Sequence, residues 1–161
     1  MGDPARHRVR VAPLRPIALR KKRAPPRSFG RHRRRHGQTF LFRNPSPVNR
    51  GSQDSFVRAI ALAEGRTWEE TYQDLCRQAL SQCDNPQSTP VAASYLSRYA
   101  VGTCQYFTRG KTPVKEFLAS HLSGAWVLQL GKGWASAVVD GVLMDTRNYI
   151  NKPIEVAWQL R

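Results

Sequence analysis

The chain has 161 residues and 18.2 kDa, with 26 Lys+Arg against 11 Asp+Glu and a formal charge of +15. Residues 1–50 hold 15 basic residues and a single acid, Asp3, for a net +14, while residues 51–161 hold 11 basic and 10 acidic residues, for a net +1. No run approaches the roughly 20 apolar residues of a membrane helix, and Arg15 and Pro16 interrupt the apolar stretch Pro13–Leu19, so neither a membrane protein nor export by an ordinary signal peptide is expected.

In chain order the first element is a tail. Residues 1–50 are too charged and too rich in Pro to offset chain entropy by burial, which predicts a disordered basic arm. Its cations cluster at Arg20, Lys21, Lys22 and Arg23 and again at Arg31, Arg33, Arg34 and Arg35, with prolines at 13, 16, 25 and 26 between them. Those prolines exclude one continuous helix. Such an arm suits a polyanion, either nucleic acid or an acidic protein assembly, because each phosphate neutralised releases a counterion. No helix-turn-helix, zinc finger or aromatic RNA-binding signature accompanies it, so the expected contact is electrostatic and unspecific. A solvated tail without a partner and an organelle transit peptide are the alternatives, the latter poorly matched by few Ser and many Pro.

Residues 51–161 read as one domain. Ser52 or Asp54 can cap a helix over 54–64 with its stripe at Phe56, Val57, Ile60 and Ala61, and Gly65 ends it. Thr67 and Glu70 form a capping box that opens a second stripe of Trp68, Tyr72, Leu75, Cys76 and Ala79, placing Cys76 in the core. Thr89-Pro90 and Thr112-Pro113 each open a further short helix. After His121 the period changes to that of strands over 125–130, 134–140, 142–144 and 154–159, joined by turns at Gly131-Lys132-Gly133 and Asp140-Gly141. Helices followed by an antiparallel meander define an α+β domain. The cysteines Cys76, Cys83 and Cys104 are odd in number and lack metal-ligand spacing, so thiols in a reducing compartment, with no metal and no cofactor, are expected.

A set of linked residues carries more. Asp54-Ser55-Phe56-Val57-Arg58-Ala59-Ile60-Ala61, then Gly65-Arg66-Thr67-Trp68 and Tyr72, then Gly133-Trp134 through Ala137-Val138-Val139-Asp140-Gly141 and Asp145-Thr146, resembles small papain-like cysteine peptidase domains of bacteria and their phages. The likeness spans roughly 52–159. In those domains the first helix carries Asp-Cys-x-x-Arg-Ala and the strand carries Gly-His-x-x-Ala-Val-x-x-Gly before Asp-Thr. Here Ser55 stands at the Cys position and Trp134 at the His position, while Asp145, or Asn148, matches the group that orients the His.

A thiol at a helix N-terminus beside an imidazole ionises near neutral pH, whereas a serine needs a base and an indole has none. The resemblance therefore implies a pseudo-peptidase in which Trp134 plugs the space of the imidazole and Ser55 is bonded to backbone. Arg58 lies at i, i+4 from Asp54, an ion-pair spacing on a helix surface. His7, His32 and His36 fall in the arm and His121 in the helix-to-strand connection, so none replaces the missing imidazole. A weak serine-type hydrolase using Ser55 with Lys132 is the alternative. The expectation is a structural or binding module, cytoplasmic or virion-associated, whose arm holds nucleic acid or an acidic assembly and whose former cleft holds a protein partner.

Overall fold

A computed structural model of the chain describes residues 37–48, 53–108, 110–131 and 133–161. The arm cations Arg20, Lys21, Lys22, Arg23, Arg31, Arg33, Arg34 and Arg35, together with Ser52 and Lys132, lie outside the described residues. Within them the protein is a mixed α/β domain of four helices and a six-stranded mixed sheet.

The order of elements is β1 (Phe40–Phe42), α1 (Ser55–Glu64), α2 (Trp68–Gln82), α3 (Thr89–Tyr99), β2 (Gln105–Tyr106), α4 (Val114–Ser120), β3 (Ala125–Leu130), β4 (Trp134–Val139), β5 (Val142–Asp145) and β6 (Ile154–Gln159). Local chemistry explains the helix ends. Gly65 closes α1 at φ 67°, its N–H reaching back to Ala61 and Leu62, a left-handed cap that costs glycine nothing. Both halves of the Thr67/Glu70 capping box form at α2. At α3 the cap is Ser88, one residue before the expected Thr89, with Oγ accepting from the Val91 N–H at 3.3 Å. At α4 Pro113 itself occupies the cap position rather than the first turn.

The strands run in the order β1-β5-β4-β3-β6-β2. Asp140 and Gly141 both adopt positive φ, 50° and 73°, the combination that two-residue hairpins between twisted strands require. Two features correct the sequence expectation. The strands 125–159 are not a simple meander, because β6 returns to pair with β3 instead of β5. The free edge of β5 is already taken by β1, which pairs with it in parallel through Phe40↔Leu143, Leu41↔Met144 and Phe42↔Asp145. Residues 40–42 therefore belong to the sheet and not to the arm, and the boundary at 50/51 falls too late in the chain.

Alternation in β4 divides the core. Ala135, Ala137 and Val139 pack with α1, α2 and α3 against one face, while Val138, Leu143 and Leu128 meet Val114, Phe117 and Leu118 of α4 on the other. The three-helix layer is tied by a polar cluster: the Arg66 guanidinium bonds to Asp74 at 2.8 Å, Glu64 at 3.0 Å and the Tyr95 hydroxyl at 3.2 Å. Burial pushes the Glu64 carboxyl up, against the pull of Arg66. Burial and the Glu64 charge push the Tyr95 hydroxyl up as well. Cys76 is half-buried on α2 rather than enclosed in the core, Cys83 is exposed and Cys104 is half-buried, all three as free thiols. No helix of the described residues is long and apolar enough to cross a membrane.

Candidate functional site

The matched positions converge where the N-terminus of α1 meets β4 and β5. Ser55 opens α1 and is buried, and its Oγ accepts a hydrogen bond from the Ala135 N–H at 3.3 Å. The serine hydroxyl is thus engaged by the backbone of the residue that follows Trp134. Among the described residues no imidazole, amine or carboxylate is bonded to it. Asp145, at the end of β5, is also buried. Its Oδ2 accepts from the Ser136 hydroxyl, and its Oδ1 accepts from the Thr146 N–H at 2.5 Å and the Thr146 hydroxyl at 3.2 Å.

Arg58 links the two carboxylates of the site. Its Nη1 bonds to Asp54 Oδ1, and its Nη2 lies 3.9 Å from Asp145 Oδ1. The other Asp54 oxygen accepts from the Trp68 indole N–H at 2.8 Å. This corrects the expectation of a surface ion pair: the Asp54 side chain is 0 % exposed and that of Arg58 is 11 % exposed, because Trp68 and the end of β5 close over them. It also explains why Asp54, at the cap position of α1, makes no side-chain capping bond. Both of its oxygens are already committed.

Trp134 departs from the expected plug. It is 47 % exposed, and its ring stands 6.3 Å from that of Tyr149 at 58°. Strand alternation is the reason. The residues of β4 that face α1 are Ala135 and Ala137, so Trp134, one position earlier, projects from the opposite face. Asn148 is exposed, and its Oδ1 accepts from the Ile150 N–H at 3.1 Å within its own loop.

His121 ends α4, its Nδ1 lying 2.9 Å from the Phe117 carbonyl and its ring stacked on Phe117 at 3.8 Å. It serves as packing in the α4 layer. Among the described residues no group of three or more His, Cys, Asp or Glu is placed to hold a metal ion. Sequence reasoning missed Ser136 and Trp68 as members of this network. Ser136 was the readable one, since a lone hydroxyl in an otherwise apolar run asks for a buried partner.

Comparison of the chain with protein-family models, with curated proteins and with solved structures finds no match. The class defined by the fold is a mixed α/β domain with helices on both faces of a six-stranded sheet.

Proposed function

We propose that the chain is a catalytically inactive papain-like module, a pseudo-peptidase domain anchored to nucleic acid by its basic N-terminal segment. One observation carries the first half of this reading: Ser55 at a helix start, the strand that begins at Trp134 and the buried Asp145 come together in space although 90 residues separate the first from the last. In the peptidase domains that the sequence resembles, these positions carry a thiol, an imidazole and an orienting carboxylate, and here the first two are replaced. Neither remaining side chain supplies the chemistry, since among the described residues no base is bonded to the Ser55 hydroxyl and the indole of Trp134 accepts no proton. The second half rests on the net +14 of residues 1–50, which fits a polyanion and a nucleoprotein or virion setting.

Restoring the two lost groups tests the papain-like reading directly. Ser55→Cys alone places a thiol at the start of α1, and Ser55→Cys with Trp134→His adds the imidazole. A thiolate-forming pair raises the ionised fraction at neutral pH about tenfold over an ordinary thiol. Iodoacetamide labelling at position 55, read by peptide mass spectrometry to separate it from Cys76, Cys83 and Cys104, is expected to be about tenfold faster in the double variant. Equal labelling rates would show that position 134 is not an imidazole position, and the papain-like reading would fall.

A further inference from the structure

The face of the sheet that carries α4 is only partly covered. Trp134 lies in register with Leu130, whose side chain belongs to the α4-side cluster, so Trp134 points to that side. Phe42 pairs with Asp145, and Phe40, two residues before it, packs into the same cluster. Phe42 is 61 % exposed. Two strand spacings across and two residues along the strands put the Phe42 and Trp134 backbones roughly 12 Å apart. Tyr149, half-buried in the β5–β6 connection, stands beside Trp134.

Cations accompany these rings. Arg147 and Lys152 bracket Tyr149, and both are exposed. Arg35, the last residue of the second basic cluster, precedes Phe40 by five residues, at most about 18 Å of extended chain. The face therefore presents exposed aromatic rings next to positive charge, and the most basic part of the sequence lies just before β1 in chain order. An acidic protein answers the charge but leaves the rings unused, and a duplex keeps its base faces stacked away from them. A single strand satisfies both, its phosphates on the cations and its bases on the rings.

We infer that Phe42, Trp134 and Tyr149 form a base-stacking platform for single-stranded nucleic acid. The inference rests on the nucleic-acid reading of the basic segment and adds the form of nucleic acid recognised and the place where its bases sit.

The test uses the full chain and two strands of equal length and charge, a twenty-nucleotide thymidine oligomer and its abasic counterpart, each titrated across a salt series. Stacking on alanine substitution is worth about 1–3 kcal/mol per base, so the thymidine strand is expected to bind about tenfold or more tightly than the abasic one. Trp134→Ala and Phe42→Ala each reduce that preference and leave abasic binding unchanged, whereas Trp134→Phe, which keeps a ring, retains it. Both residues are exposed, and unchanged circular dichroism will show the variants folded. Equal affinity for the two strands, with a steep salt slope, overturns the platform and leaves the charged anchor standing. A thymidine preference that survives both alanine variants overturns the placement of the platform. Absence of binding to either strand overturns both readings.

Discussion

Removing residues 1–50 is expected to lower the melting temperature by roughly 10 °C, while removing only residues 1–36 leaves it nearly unchanged. The difference is β1. Phe40 packs against the α4-side cluster and Leu41 against the three-helix cluster, so one short strand contributes to both halves of the core. Its backbone also closes the edge of β5, with the Leu143 N–H bonded to the Thr39 carbonyl and the Arg43 N–H to the Asp145 carbonyl, each at 3.0 Å. Losing two partly buried large side chains costs about 2–4 kcal/mol, before the exposed edge of β5 is counted. An uncovered β5 edge also offers free backbone groups to other chains, so the shorter protein is expected to self-associate. Thermal melts of the two truncated chains check this, and equal melting temperatures would show that β1 is dispensable.

The largest effect of a single substitution is expected at Asp54. Asp54→Ala leaves Arg58 with its side chain only 11 % exposed and with Asp145 at 3.9 Å as its remaining carboxylate. Stranding one half of a buried ion pair costs about 3–5 kcal/mol, on the order of 10–20 °C in melting temperature for a domain of this size. The variant also frees the Trp68 indole N–H, whose partner is Asp54 Oδ2; that bond accounts for about 1 kcal/mol of the loss. Arg58→Met in the same chain removes the stranded charge, so the double variant is expected to recover more than half of the stability. Denaturant melts of the single and double variants distinguish a buried pair from a surface one. If Asp54→Ala costs less than about 1 kcal/mol, the pair is solvated and the closed site described above is wrong.

How much of this was legible in the sequence depended on how local the determining interaction is. The end of α1 and the start of α2 were readable because Gly65, Thr67 and Glu70 act within a few residues of themselves. So was the Asp140-Gly141 turn, where a residue pair tolerant of positive φ sits between two apolar runs. β1 was hidden because three apolar residues between Thr39 and Arg43 carry no periodic signal, and their partner in β5 is about a hundred residues away. The same holds for β6, whose apolar pattern fits either side of the sheet until β1 occupies the β5 edge.

At the site, the spacing of Asp54 and Arg58 announced the pair but not its burial, which depends on Trp68 and on the end of β5. The direction of Trp134 was hidden for a different reason. Both faces of β4 are apolar, so period-two alternation gives two faces without saying which one α1 covers. Only the packing of Ala135 and Ala137 against the helices assigns Trp134 to the other side.

Duplex binding across a salt series isolates the proposed charged anchor, because a duplex hides its base faces from the proposed aromatic platform. Residues 1–36 hold 13 Lys+Arg, and engagement of about half of them gives a log–log salt slope near −6 at roughly −0.9 per phosphate contact. That slope is expected for the full chain and is lost when residues 1–36 are removed, with the remaining domain still folded. Equal duplex affinity with and without those residues, or no binding by the full chain at physiological salt, would contradict that anchor.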